Sequence, residues 1–236
     1  MTQIAEQVRM HKSTVHRLLA TLEKRRFVQR DAATGTYRLG IRLLQMAYLT
    51  LERNDLRHIS LPFLRHLGEQ YQETIHLSVL DEPDVIFLAV IESPQRVKLA
   101  AAIGQRLPAF TTASGKAILA FMPHETVQHI LGHGMPQYTQ RTLRSSEEFF
   151  EDLRQVRERG FALDEQELEE GINAVAAPVF DLSNQPIASV AVAGPAYRLT
   201  RERMIEIGPL VMTTAQDIAR EVEMAAQPEV HPAEGG

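Results

Sequence analysis

The stretch Thr2–Leu22, TQIAEQVRMHKSTVHRLLATL, decides how the first part of the chain folds. Its apolar side chains lie on one face of each of two short segments: Ile4, Ala5 and Val8 in the first, and Val15, Leu18, Leu19 and Leu22 in the second. The second set has the i, i+3, i+4, i+7 spacing of an amphipathic helix. The residues between the two sets, Arg9 to His11, are too few for anything but a turn. The pattern predicts two short helices joined by a tight turn.

The second predicted helix, Lys12 to Arg25, carries its polar side chains opposite its leucines. The candidates for contact with DNA on this face are Lys12, Ser13, Thr14, His16 and Arg17. Hydroxyls and cations in the first turn of a helix can reach phosphates and base edges in the major groove, while the apolar back holds the helix on its partner. The pattern favours a helix-turn-helix with this helix as the recognition helix. A plain helical hairpin with a solvated charged face fits these residues about equally well.

A predicted β-hairpin follows the helix pair directly. The β-prone runs Phe27–Arg30 and Thr36–Leu39 flank a turn that contains Gly35. A hairpin in this position is typical of a wing, and the candidates for contact with the sugar-phosphate backbone are Arg30, Thr34 and Arg38. A solvated hairpin without a DNA contact is the alternative.

Charge separates this region from the rest of the chain. Residues 1–42 carry nine basic and three acidic side chains, a net +6, whereas the whole chain of 236 residues has a net charge of −5 and the remainder is therefore −11. A basic head on an acidic body indicates a domain that binds a polyanion joined to one that does not. The absence of cysteine excludes a disulfide framework and a thiolate metal site. No signal peptide or membrane span is predicted, so we expect a cytoplasmic location.

The predicted domains follow from the order of elements. Residues 1–40 form the winged helix-turn-helix, 41–55 a linker helix, 56–225 an α+β domain and 226–236 a flexible tail. In the third segment, helices are predicted at 56–71, 113–121, 125–131, 145–159 and 200–224, and strands at 75–80, 85–91, 97–103, 172–181 and 187–193. Short strands joined by tight turns imply an antiparallel sheet, here with helices packed against it.

Four ordered motifs resemble the IclR family of bacterial transcriptional regulators. They are KSTVHRLLATLE (12–23), FVQRDAATGTYRLGIRLL (27–44), RLPAFTTASGKAILA (106–120) and EEGINAVAAPVFD (169–181), and VAGPAYRLT (192–200) follows them. The resemblance implies a winged helix-turn-helix, a linker helix and a C-terminal, GAF-like effector-binding domain with helices on a curved sheet. It also implies homodimers or dimers of dimers on a palindromic double-stranded DNA operator.

The chain departs from the family pattern at one place. Family members carry a helix ahead of the one that begins here at Thr2. A helix pair with a small hairpin cannot easily cover Val15, Leu18, Leu19 and Leu22. Our hypothesis is that Met1 is an internal or misassigned start, or that the chain is truncated, with weakened DNA binding if the short form is real.

A small-molecule effector is expected at the loop RLPAFTTASGKA, where small residues lead into a helix. Small side chains let an anion approach the backbone N–H groups at a helix start. This loop is not a P-loop, because Phe110 and Ala117 stand where that motif needs Gly and Ser or Thr. By resemblance to the family, the effector contacts are Leu99 on a neighbouring strand, Ala113, Ser114, Gly115, Asp164, Ile172, Ala174, Ala191 and Ala193. The alanines predict a roomy apolar pocket with few polar groups, suited to a small aromatic or aliphatic carboxylate. Close helix-on-sheet packing is the alternative.

Catalysis is not predicted. His124, His129 and His133 are expected at the surface, no metal-binding pattern or nucleophile elbow occurs, and no cofactor is expected. The acidic run from Asp164 to Glu170 is expected to be a solvated loop in which only Asp164 points inward. The sequence therefore favours a ligand-responsive, sequence-specific transcriptional regulator of a catabolic or related operon. The alternative is a ligand-binding or enzymatic α+β domain whose basic head is a dimerisation module.

Overall fold

The computed structural model describes residues 2–52 and 55–226 of the chain. The chain divides into two compact units, Met1–Asn54 and Asp55–Gly236. The end of the predicted linker and the predicted flexible tail, at 53–54 and 227–236, lie outside the described residues.

The first unit contains the predicted helix pair and hairpin. Its elements are α1 (Thr2–Gln7), α2 (Lys12–Lys24), β1 (Val28–Arg30), β2 (Tyr37–Leu39) and α3 (Ile41–Glu52). The core of the unit is small, with Ala5, Val15 and Leu19 buried and Ile4, Val28 and Tyr37 packed around them. Leu18 and Leu22 are 46% and 39% exposed. The expectation that the apolar face of α2 would be hard to cover is therefore right for these two leucines and wrong for Val15 and Leu19.

The second unit is an α+β domain built on one antiparallel sheet, as predicted. Its elements are α4 (Asp55–Tyr71), β3 (Thr74–Asp81), β4 (Asp84–Ile91), β5 (Arg106–Pro108), α5 (Ala113–Leu119), α6 (His124–Leu131), α7 (Ser146–Arg159), β6 (Ala162–Glu165), β7 (Ile172–Phe180), β8 (Pro186–Pro195) and α8 (Arg201–Ala226). The six strands lie in the order β5-β4-β3-β8-β7-β6, and every neighbouring pair is antiparallel. Alternation of side chains along the strands supplies both faces of the sheet with apolar residues.

Each face of this sheet is covered by its own set of helices. Helices α4 and α8 bury side chains such as Leu64 and Met204 against Ile75 and Val190. Helices α5, α6 and α7 bury the opposite face, where small residues including Ala176 and Ala191 allow close approach. The small residues of β7 and β8 thus set the position of α5, the helix that begins at the predicted effector loop.

Three local predictions for this unit were wrong. Residues 97–103 do not form a strand, and Val97 and Ile103 are 58% and 45% exposed, so the apolar run finds no sheet edge to join. The strands β5 and β6, with three and four residues, were not predicted because such short segments show no clear alternation. The acidic run from Asp164 is not a solvated loop throughout, because Asp164 lies in β6 and Glu167 is buried as well.

Candidate functional site

The basic face of α2 is open to solvent. Lys12, Ser13, His16 and Arg17 are exposed, and Thr14 is half-buried. Val15 and Leu19 lie on another face of the same helix and are buried in the core of the unit. The predicted DNA-contacting side chains of this helix therefore stand together on one accessible surface.

The start of α2 is fixed by a residue that the sequence analysis did not single out. His11 is the N-cap, and its Nδ1 accepts the backbone N–H of Ser13 at 3.4 Å. The same Nδ1 lies 2.8 Å from Ser13 Oγ. A cap of this kind orients the first turn, where the predicted base-edge contacts begin. Histidine is an uncommon cap, which is why the pattern did not indicate it.

The tip of the hairpin is a tight turn organised by Asp31. Its Oδ1 accepts the backbone N–H groups of Ala33 at 2.8 Å and Thr34 at 3.1 Å, and these bonds hold the pKa of this carboxyl below its usual range. Gly35 has φ +68°, a conformation that favours glycine. The turn presents Thr34 at an exposed tip, as predicted.

The two arginines of the hairpin lie on opposite faces. Arg30 pairs with Tyr37 and Arg38 pairs with Gln29, so in this antiparallel register each arginine shares a face with its own pairing partner. Both arginines are exposed. Both arginines were predicted to contact the sugar-phosphate backbone of DNA, and the register places them on different faces of the hairpin.

The second unit contains a partly open cavity of about 90 Å³ between the sheet and the start of α5. It is lined by fifteen residues: His76, Phe87, Leu99, Ala100, Gln105, Leu107, Thr112, Ala113, Ser114, Asp164, Leu168, Glu169, Ile172, Ala174 and Ala193. Space of this size holds several water molecules or one small organic molecule. Seven of the nine predicted effector contacts are among the lining residues: Leu99, Ala113, Ser114, Asp164, Ile172, Ala174 and Ala193. Leu99 lines the cavity from the segment 97–103, which is not a strand as had been predicted.

The other two predicted contacts, Gly115 and Ala191, do not line the cavity. A Cβ at Gly115 would lie 2.0 Å from the carbonyl oxygen of Ala109, so this glycine allows two backbone segments to touch. Its N–H donates to Thr112 Oγ1 at 3.1 Å and is therefore not free for an anion. Ala191 is fully buried in the apolar core beneath α5.

The cavity wall is more polar than the alanines suggested. Ser78 Oγ donates to Ser114 Oγ at 3.3 Å, and Ser114 Oγ lies 3.2 Å from His76 Nε2. The His76 ring stacks on Phe87 at 4.3 Å, and burial lowers the pKa of His76 to about 4. The histidine is therefore neutral at physiological pH. Its alternation with Ile75 and Leu77, which face the other side of the sheet, was the signal that could have identified it.

A buried charged cluster lies directly behind the cavity and was also missed. The Lys116 ammonium is almost completely buried, bonded to Glu167 Oε1, and 3.0 Å from Asp152 Oδ2. Burial acts to lower the pKa of Lys116, but the charges of Glu167, Asp152 and Asp164 outweigh it and hold that pKa above its usual value. Thr142 Oγ1 donates to the carbonyl oxygen of Glu167 at 2.6 Å and ties down the same segment. No sequence motif links these residues, which come from α5, α7 and two separate loops.

Comparison with known proteins identifies the family. The "IclR helix-turn-helix domain" profile matches residues 1–32, and "Bacterial transcriptional regulator IclR C-terminal" matches residues 48–220. The chain belongs to the IclR family. The transcriptional repressor IclR of Escherichia coli K12 is 33% identical over 221 residues, 92% of this chain and 81% of that protein. The regulator KdgR of the same organism is 33% identical over 223 residues, 94% of this chain and 85% of that protein. The crystal structure of an IclR regulator from Alicyclobacillus acidocaldarius superposes with a TM-score of 0.81 at 29% identity, covering 93% of this chain and 89% of that one.

Membership of the IclR family makes the chain a transcriptional regulator with a DNA-binding helix-turn-helix and a small-molecule-binding domain, and not an enzyme. Within residues 2–52 and 55–226, no group of three or more His, Asp or Glu side chains is arranged to hold a metal ion. His124, His129 and His133 are exposed, as predicted. Among the described helices, none is long and apolar enough to cross a membrane.

Proposed function

We propose that the protein is a ligand-responsive regulator that binds a palindromic operator as a homodimer or a dimer of dimers and controls a catabolic or related operon. The observation that carries this proposal is that the chain has both an exposed basic recognition face on α2 and a cavity in its second unit. The recognition contacts are assigned to Lys12, Ser13, Thr14, His16 and Arg17. The wing contacts are assigned to Thr34 and to one of the two hairpin arginines, Arg30 or Arg38, which lie on opposite faces. We also propose that the protein acts in the cytoplasm, where a bacterial operator lies.

The effector is a small aromatic or aliphatic carboxylate that enters the cavity beside Ser114. The supporting features are the volume of about 90 Å³ and a wall in which apolar side chains surround a few convergent polar groups. The contacts are assigned to the seven lining residues named above, while Gly115 supports the loop through its close backbone contact.

Regulation then requires a difference in effector affinity between two arrangements of the dimer. An effector shifts an equilibrium only by the difference in its affinity for the two states. We assign α3, which precedes the second unit in the chain, to transmit this difference to the spacing of the two recognition helices. Exposed apolar side chains on α3, among them Leu44, Tyr48 and Leu49, are available for contact with a second copy.

The test is titration of DNA fragments from the gene's own neighbourhood with the full chain, with and without small carboxylates. We expect binding to one fragment that weakens steeply with salt and changes when a carboxylate is added. Equal affinity for every fragment contradicts the proposal, and affinity that no carboxylate alters contradicts its effector part.

A cavity-filling variant separates the two activities. Ala174→Leu places a larger side chain in the wall and is expected to remove the response to carboxylate while operator binding remains. Ala102→Leu makes the same change at an exposed position outside the cavity and is expected to keep the response. Loss of the response in both variants would count against the cavity as the effector site.

A further inference from the structure

Asp164 is the buried carboxyl of the cavity wall. It is 6% exposed, and its Oδ1 accepts the backbone N–H of Glu167 at 2.8 Å. Among the fifteen lining residues none is a lysine or an arginine. An anion that enters this cavity therefore meets a carboxyl group and finds no cationic side chain in the wall.

The groups behind Asp164 do not balance its charge. Lys116 on α5 and Arg159 on α7 are the two cations of the cluster, and Asp152, Glu167 and Asp164 are its three carboxyls. Lys116 is committed to Glu167 and Asp152, and Arg159 lies 3.8 Å from Asp152. The cluster is electrically neutral only when one carboxyl carries a proton. Asp164 is that carboxyl, because the other two contact a cation directly. Burial raises the pKa of Glu167 as well, but the ammonium of Lys116 acts against this shift.

The remaining charged groups around Asp164 leave this balance unchanged. Glu165 is paired with Arg201 of α8, and Glu169 is exposed at the edge of the cavity. His76 on β3 is neutral, and the residue paired with Asp164 on β7 is Ala174. Burial, followed by the charge of Glu167, raises the pKa of Asp164 to about 7, in agreement with the charge count.

We propose that the cavity takes up a carboxylate together with one proton, which the ligand and Asp164 share. This inference rests on the effector class proposed above. Two carboxyls in contact in a low-dielectric site cannot both be ionised, so the pair holds a single proton and titrates as a unit. The protonated Asp164 donates its O–H to the ligand carboxylate, as a cationic side chain would do elsewhere. Asp164 thus acts as a specificity residue that accepts a carboxylate without an arginine or a lysine.

The test uses the full chain with acetate, isobutyrate and benzoate, and with acetamide, isobutyramide and benzamide as their uncharged counterparts. Calorimetric titration in two buffers of unequal ionisation enthalpy counts the protons taken up per ligand. For the carboxylates we expect an uptake of close to one proton per ligand at pH 8 and much less than one at pH 6. Their affinity should fall roughly tenfold per pH unit above pH 7. For any amide that binds, we expect no proton uptake and no fall of affinity with pH.

Two variants assign the proton to its residue. Asp164→Asn offers an amide N–H at every pH, so its affinity for carboxylate is expected to stay flat from pH 6 to pH 9 with no proton uptake. Glu170→Gln removes an exposed carboxyl of the same segment and is expected to keep the wild-type uptake. If Asp164→Asn does not fold, the contrast between carboxylates and amides on the wild-type chain still decides whether carboxylate binding takes up a proton.

Different results overturn different claims. Carboxylate binding without proton uptake at pH 8 overturns the shared proton and leaves the effector class standing. Absence of binding by all three carboxylates at pH 6 overturns both this inference and the proposed effector class. DNA binding by the first unit is measured separately and is not affected by either result.

Discussion

The two units of this protein place their functional groups in opposite environments. The first has a core of a few side chains and carries its functional groups on an exposed face, where Lys12 and Arg17 are accessible. The second buries its functional groups, and Asp164 and Lys116 interact in a cluster that solvent hardly reaches. Contacts with DNA depend on exposed cations, whereas recognition of a small molecule depends on displaced water and fixed polar groups. The difference between the units is therefore one of dielectric environment as well as of fold.

We expect the largest effects, on stability, from two glycine substitutions, one in each unit. A Cβ at Gly40 would lie 2.1 Å from the carbonyl oxygen of Arg26, and a Cβ at Gly115 would lie 2.0 Å from that of Ala109. Each clash is with backbone, so we expect alanine at either position to destabilise its unit by roughly 4 kcal/mol. Gly40→Ala should abolish DNA binding and spare carboxylate binding, and Gly115→Ala should do the reverse.

Thermal denaturation together with the two binding assays checks this pair. Gly134→Ala is the control, because nothing lies within 4 Å of a Cβ there and only the backbone conformation at φ +106° opposes it. Loss of both activities in both variants would show that the units do not fold independently.

The next effect concerns the recognition helix. Arg17→Ala removes an exposed cation from α2 and is expected to cost about 1–3 kcal/mol of operator affinity for each recognition helix engaged. Lys12→Ala is expected to act in the same direction. Gel-shift titration measures both, with Arg65→Ala on α4, an exposed arginine of the other unit, as the control. An equal loss in the control would mean that overall charge, not the face of α2, determines affinity.

A pH effect on stability distinguishes the buried cluster from the exposed face. The pKa of Asp164 is raised from 3.8 to about 7, so the folded state keeps a proton that the unfolded state releases. The stability contributed by this proton is present below pH 4 and is lost as the pH rises through 7, at roughly 1 kcal/mol per pH unit. Denaturant unfolding at several pH values should therefore show Asp164→Asn gaining stability relative to wild type between pH 5 and pH 7. A constant difference between the two proteins over this range would contradict the raised pKa.

The smallest effect concerns the two wing arginines. Because the β1–β2 register puts Arg30 and Arg38 on opposite faces, we expect only one of them to approach a phosphate. The salt dependence of operator binding is the slope of log affinity against log salt concentration. For one of the two variants, Arg30→Gln or Arg38→Gln, this slope should fall by about one unit per recognition site. For the other variant it should not change. Equal changes in both variants would show that the hairpin straddles the backbone.

Local patterns were enough to predict the first unit, because short-range spacing determines it. The apolar spacing of α2 and the Gly35 turn each lie within a few residues, and the helices and hairpin formed where they were predicted. The second unit was predicted less completely. Long elements such as α7 and β7 were recovered, whereas β6, with four residues, required its pairing with β7 to form at all.

The sequence by itself determined the family, the basic head on an acidic body, the order of the long elements and seven of the fifteen residues around the cavity. Only the tertiary structure decided that His76 faces the cavity, that Lys116 is buried between Asp152 and Glu167, and that Gly115 serves a backbone contact. The physical reason is that periodicity reports which side of an element is apolar, and it carries no information about which distant element will cover that side. A buried charge acquires its protonation state from neighbours that the chain brings together only when it folds.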